Sequence, residues 1–273
     1  MRLGVFAKTF PGKTPDAVLA QVAASGYAAA QYNMACSGLA SMPDAIAPDI
    51  ARAVADASRA HGVAIAAVSG TYNMAHPDPA VRAKGLARLE VLAGAAHAMG
   101  TSLITLCTGT RDPDDQWRLH KDNVTAEAWA DMRAAMVQAI AIAERHDIRL
   151  GIEPELSNVV SSATKARQLL DELQSERLVV VLDAANLFET EPLDAQRRII
   201  AQAVDAVGDR IVMAHAKDRA ADGSFVAAGT GVLDYPHYIA CLRAVGFDGD
   251  LVPHSIEADE APGVARFLSG LIA

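Results

Sequence analysis

The chain has 273 residues, 51% of them apolar, with a formal charge of -9 and only three cysteines. That length and apolar content are ample for a substantial core, and the acidic balance argues against nucleic acid, whose phosphates are bound through Lys and Arg. No run reaches the ~18 apolar residues of a membrane span, and the opening MRLGVFAKTF is not a basic leader followed by a long apolar stretch. A soluble, untargeted, cytoplasmic protein with no membrane partner is therefore expected.

In chain order, β-rich runs occur at 2–6, 28–32, 63–69, 102–107, 148–153, 178–183, 210–215 and 250–254. The segments between them have helical period, as in 79–99, where Leu86, Leu89, Leu92, Ala93 and Ala96 share one face. Thr14 before Pro15 and Asp78 before Pro79 read as an N-cap followed by proline at the first helical position. Gly26, Gly62, Gly100, Gly208 and Gly246 follow helical runs and read as left-handed C-caps.

Eight such units predict a single (β/α)₈ TIM barrel, α/β in class, over residues 1–273 as one domain. A doubly wound open sheet is the competing architecture. Cys36, Cys107 and Cys241 show no CxxC spacing and are expected as buried, reduced thiols. The apolar-rich helix at 126–145 is suited to joining copies into a homodimer or homotetramer.

The longest loop, 108–124, follows the fourth strand on the end where barrels build active sites. Arg111, Trp117, His120 and Asn123 are candidates for stacking and polar contacts to a sugar-like ligand; the alternative is a solvated loop anchored by its tryptophan. Asn73 and His76, after the third strand, are candidates for substrate contact or for capping. Lys8 and Gln31 stand at strand ends, where a structural role is the commoner one. Glu155 follows Pro154, which is expected to end the fifth strand, and reads as a supporting or surface residue.

Four strand-like runs in the second half close on side chains able to hold a divalent ion: Glu153, Asp183, His215 and His254. Carboxylates ending apolar strands need a cation. It is either a metal, Mn²⁺, Zn²⁺, Co²⁺ or Fe²⁺ with Mg²⁺ less suited to two imidazoles, or Lys217 or Arg219 from the next strand. Gly229 and Gly231 are expected to shape the loop after the seventh strand. They do not open a helix and so do not read as a phosphate cradle.

At IEPE (152–155), DAANLF (183–188), AHAKD (214–218), GTGVLDY (229–235) and GFDGDLVPH (246–254) the chain resembles the xylose isomerase-like TIM-barrel superfamily of sugar phosphate isomerases and epimerases. The resemblance implies Glu153, Asp183 and His215 as metal ligands from strands 5, 6 and 7, with Lys217 or Arg219 facing the substrate. Two departures stand out. His254, with Glu257 three residues on, occupies the strand-8 position where the family commonly has a second glutamate. Asn186 stands where many relatives carry a histidine.

The resemblance implies a sugar isomerase or epimerase that removes a proton next to a carbonyl through a metal-stabilised enediolate. Glu153 is the expected base, and His254 or Glu257 the partner acid. Loss of a β-substituent instead of proton return would make it a lyase or dehydratase acting on a keto-sugar, inosose or 3-oxo-glycoside. An endonuclease IV-like nuclease and a non-catalytic sugar-binding barrel are the readings from other classes.

Overall fold

A computed structural model describes residues 1–273. Eight strands pair in parallel and close in the order β1-β10-β7-β6-β5-β4-β3-β2, so the barrel and not the open sheet is the architecture. In chain order the elements are β1 (Arg2–Phe6), α1 (Pro15–Ala24), β2 (Ala29–Tyr32), α2 (Pro48–His61), β3 (Ala64–Ser69), α3 (Pro79–Met99), β4 (Leu103–Cys107), α4 (Ala126–Arg145) and β5 (Arg149–Glu153). There follow α5 (Ala163–Leu173), β6 (Leu178–Asp183), α6 (Leu193–Val207), β7 (Ile211–Ala216), α7 (Tyr235–Ala244), β10 (Asp250–Pro253) and α8 (Ala261–Ile272). β8 (Asp218–Arg219) and β9 (Phe225–Val226) form a small antiparallel hairpin outside the barrel.

The strands are apolar on both faces because both faces are covered. Ala67, Leu103, Val179, Val181, Met213 and Val252 pack together inside the barrel, whereas Val180 and Leu182, the alternate residues of β6, join the larger core beneath the helices. This two-residue period fixes the site. Val179 and Val181 point inward, so Asp183 does too; Met213 carries His215 and Val252 carries His254 in the same way. Irregular register between Ala30 and Gln31 places Gln31 beside Ala67, with Ala66 as the extra residue on β3.

Helix punctuation follows the sequence in most places. Thr14 and Asp78 accept hydrogen bonds from Ala17 N and Ala80 N, and Gly62 and Gly100 close α2 and α3 at φ 66° and 93°. Gly208 differs from expectation. Its φ is -57°, it opens a short 3-10 turn, and a Cβ there would lie 2.8 Å from Val245 Cγ1. Close packing, not a left-handed backbone, is what excludes a larger residue. All three cysteines are free; Cys36 and Cys107 are buried, but Cys241 is only half-buried. Burial pushes the Cys36 thiol up to about 11. No helix is long and apolar enough to cross a membrane.

The chain after β7 is organised by a buried carboxylate. Asp218 accepts from Gly229 N, Gly231 N and Leu233 N at 2.9–3.0 Å, and a Cβ on Gly231 would sit 2.2 Å from Arg219 O. The two glycines thus let the loop wrap one side chain. Asp234 then caps α7 through His237 N and holds Arg197 at 2.6 Å.

Burial pushes the Asp234 carboxyl up, but the His237 N–H and Arg197 outweigh it and leave it below its usual range. A carboxyl depressed in the folded state stabilises above its unfolded pKa of about 3.9 and loses that contribution as pH falls through the folded value. Asp234→Ala is therefore expected to cost about 1–2 kcal/mol at neutral pH, with the deficit fading in denaturation curves below about pH 4.

Candidate metal centre and active site

Glu153, Asp183, His215 and His254 each offer a ligand atom, and those atoms all lie within 4.8 Å of one another. Parallel pairing brings them together: Asp183 is level with His215 across β6 and β7, and Val252, two residues before His254, is level with His215 across β10 and β7. Glu153 Oε1 is 3.1 Å from His215 Nδ1, and His254 Nε2 is 3.0 Å from Asp183 Oδ2. The two imidazoles stand with ring centroids 4.5 Å apart.

The donor set suits a divalent ion. Donors at about 2.0–2.2 Å from a common centre stand at most ~4.4 Å apart, close to the spacing present. Two carboxylates also balance a 2+ charge, and mixed oxygen and nitrogen donors suit Mn²⁺, Zn²⁺, Co²⁺ or Fe²⁺.

Asp183 is fully buried; burial pushes its carboxyl up, but Lys217, His254 and His215 together hold it well below the usual carboxylate range. For Glu153, burial is likewise outweighed by the charge and hydrogen bond of His215, so its carboxyl is lowered. The imidazoles shift in opposite directions. Burial lowers His215, but Glu153 and Asp183 raise it overall; burial and the neighbouring His215 lower His254 despite Asp183.

A chain of donors supports these groups. Lys217 Nζ donates to Asn186 Oδ1 at 2.6 Å, and Asn186 Nδ2 donates to Glu153 Oε1 at 2.7 Å. Lys217 Nζ also stands 3.5 Å from Asp183 Oδ2, so the lysine meets one carboxylate directly and the other through Asn186. A cavity of about 480 Å³ opens above them, lined among others by Glu153, Asn186, His215, Lys217, His254 and Trp117.

Other sequence candidates lie elsewhere. Arg219 does not line this cavity: its Nε donates to Ala185 O, its guanidinium also bonds Gly223 O, and it stacks 4.1 Å from the Phe225 ring. Glu257 is exposed in the turn before α8, its N–H bonded to Glu260, because the chain turns away after Ser255 at φ 57°. His76 accepts from Asp78 N through Nδ1 and contacts Pro113 O through Nε2, while His120 caps the 3-10 turn at Lys121–Val124. Both are tied to local backbone outside the cavity lining.

The 108–124 loop is ordered by its own side chains: Asn123 Oδ1 accepts from Thr110 and Arg111 N, and Arg111 pairs with Asp131 at 2.7 Å. Asn73 serves the same loop, accepting from Thr110 N and donating to Asp112 O. From this loop Gln116 and Trp117 reach the cavity.

Three cavity residues were undervalued by the sequence. Gln31 is buried on β2, donates to Thr105 Oγ1 at 3.0 Å and places Oε1 2.7 Å from His215 Nε2. Lys8 lines the same space. Glu155 is half-buried in the lining although β5 ends at Glu153; burial and the Glu153 charge push its carboxyl up to about 7. The inward parity of Gly4, Phe6 and Lys8 and of Ala29 and Gln31 was the available signal.

A family model described as xylose isomerase-like TIM barrel matches residues 19–267. Among solved structures, the chain is similar to 3-keto-D-glucoside 4-epimerase from E. coli, with 14% identity, TM-score 0.77 and 99% of each chain covered. It is similar to D-allulose 3-epimerase from Methylomonas sp. in complex with D-allulose, with 18% identity, TM-score 0.75, and 100% of this chain and 97% of that one covered. A xylose isomerase domain protein from Planctomyces limnophilus gives 17% identity and TM-score 0.75 over 99% and 96%. At these identities the likeness is one of fold. No curated protein matches the sequence.

Proposed function

Because the chain belongs to the xylose isomerase-like TIM-barrel family, we propose that it is a divalent-metal-dependent isomerase or epimerase of a sugar or sugar derivative. The observation that carries this reading is the convergence of Glu153, Asp183, His215 and His254 on one point at the floor of a polar cavity. A divalent ion held there supplies Lewis acidity, polarising a carbonyl and offsetting the charge that develops when the adjacent C–H proton leaves.

Glu153 takes that proton. Its Oε1 is engaged by Asn186 and His215, which leaves Oε2 for the substrate. Lys217 donates to Asn186, pairs with Asp183 at 3.5 Å and stands 3.6 Å over the Phe225 ring, and its ammonium lines the cavity where a substrate oxygen would meet it. His254, part-buried and held between Asp183 and Ser255 Oγ at 3.1 Å, is the partner that returns a proton. Glu257 is too exposed for that role.

A second reading, lyase or dehydratase, is favoured by the same histidine: without a second carboxylate at the eighth barrel strand, the two faces of the sugar meet chemically different groups. Incubation with ketoses, inososes and 3-keto-glycosides in D₂O with Mn²⁺ tests both. Deuterium beside the carbonyl with the carbon skeleton and substituents retained supports isomerisation or epimerisation, an unsaturated product supports elimination, and no exchange with any substrate sinks both.

Gln31 gives a separate handle on the metal. If Nδ1 of His215 faces the ion, Nε2 must carry the proton and needs an acceptor, which Gln31 Oε1 provides. Gln31→Leu is expected to weaken Mn²⁺ binding 10- to 100-fold in competition with a chelating dye. Gln31→Glu, which keeps an acceptor, should retain most of it; unchanged affinity in Gln31→Leu would remove Gln31 from the assembly.

A further inference from the structure

The cavity is divided by charge. Its acidic lining residues, Glu153 and Glu155, come from the end of β5 and just beyond it, and the four ligand groups of the floor stand on β5 to β10. From β1 to β4 no Asp or Glu lines the space. The one charged group there is Lys8, whose ammonium has no ion pair or hydrogen bond within the protein.

Strand register sets two buried donors beside this cation. Phe6 is level with Gln31, and Gln31 with Ala67; Lys8, Asn33 and Ser69, each two residues further on, make the next inward row. Asn33 and Ser69 are 4% and 8% exposed, yet both line the cavity. The Asn33 oxygen accepts from Ala35 N, which leaves the Nδ2 amide group, a donor only, for the cavity. The Ser69 hydroxyl is also without a partner in the protein.

A buried donor needs an acceptor. An ammonium, an amide N–H and a hydroxyl in one row, with no acid in that half of the lining, suit an oxyanion that accepts from all three. The single lysine sets its charge. A phosphate dianion calls for a second cation, but Arg219 is tied to Ala185 O and Gly223 O, and Lys217 serves the floor. A carboxylate calls for one. The row stands on the order of 7 Å along the strands from Gln31, which itself meets His215, so a six-carbon chain with its carbonyl at the floor brings its far end here. We propose that Lys8, Asn33 and Ser69 bind a carboxylate of the substrate, which makes that substrate a keto-sugar acid.

This rests on the proposed sugar chemistry of the floor, but recognition is measured apart from turnover. The Mn²⁺-loaded protein is titrated by calorimetry with fructose, with fructuronate and with fructose 6-phosphate, while solvent-deuterium exchange into each is followed separately. Fructuronate is the same ketose with a carboxylate in place of its C6 hydroxymethyl group. It is expected to bind about 10- to 100-fold more tightly than fructose, the effect of charge-assisted hydrogen bonds on one carboxylate. Lys8→Met should bring the two affinities together, and Lys8→Arg should keep most of the difference. Asn33→Asp, which can still accept from Ala35 N, sets a negative charge beside Lys8 and should abolish the preference with the lysine in place.

Equal affinity of the native protein for fructose and fructuronate overturns the carboxylate site, and deuterium exchange into either then leaves the reaction standing. A preference that survives Lys8→Met puts the carboxylate on the ion and overturns the site as well. Tighter binding of fructose 6-phosphate than of fructuronate, lost in Lys8→Met, overturns the sugar acid in favour of a phosphorylated sugar. A Lys8-dependent preference for fructuronate without deuterium exchange keeps the site and sinks the reaction. Failure of all three ligands to bind removes both.

Discussion

Glu153→Gln is expected to lower solvent-deuterium exchange into a bound keto-sugar by 10²- to 10⁴-fold, the contribution of a positioned general base. The change is small in shape: glutamine can still accept from Asn186 through its oxygen. It removes the negative charge that faces His215 and the lone pairs offered to the substrate C–H. Loss of one anionic donor also weakens Mn²⁺ binding, so exchange must be compared at metal concentrations that saturate each protein. A variant that still exchanges at the native rate when saturated would exclude Glu153 as the base and turn attention to Glu155, the other carboxylate in the lining. A variant that binds neither metal nor sugar would show a collapsed site, and Glu153→Asp, which keeps the charge on a shorter stem, separates the two cases by retaining metal.

The strand ends were legible because two constraints act on a few neighbouring residues. LVVVLD at 178–183 is buried on both faces and ends on a carboxylate that needs a partner, so the place of Asp183 in the candidate site was readable from its own strand alone. The same reasoning served Glu153 and His215. It failed where the partner is remote or the backbone turns.

Gln31 meets His215 across the barrel interior from a strand that is not its neighbour in the sheet, a pairing that only closure creates. Arg219 stands two residues beyond Lys217 and shares its parity, yet β8 leaves the barrel and folds back on β9, which hands the guanidinium to backbone carbonyls. Glu257 was misplaced by the same kind of event, a left-handed residue at Ser255 that redirects the chain. His76 and His120 carry side chains suited to substrate contact, but each caps its own turn, a local competition that residue type alone does not resolve.

Asp183→Ala is expected to be the most destabilising single change at the site, by about 3–5 kcal/mol in chelator-treated protein, the range for removing one partner of a buried ion pair. Asp183 is completely buried and uses both oxygens: Oδ1 accepts from Ala185 N at 2.9 Å, while Oδ2 faces His254 Nε2 and Lys217 Nζ. Without it Lys217, itself buried, keeps only the Asn186 oxygen at hydrogen-bond distance, and a 3-10 turn at Ala184–Asn186 loses its cap.

Thermal melts with and without Mn²⁺ separate this from a simple packing loss. The native protein should gain about 2.7 kcal/mol at a metal concentration 100 times Kd, whereas Asp183→Ala should gain little because the ion loses its most buried anionic donor. Lys217→Met in the same background removes the stranded cation and should recover part of the stability without restoring the response to metal. If Asp183→Ala instead melts like the native protein and still responds fully to Mn²⁺, the ion is held elsewhere, and the four-residue centre at the carboxyl ends of the barrel strands is the wrong one.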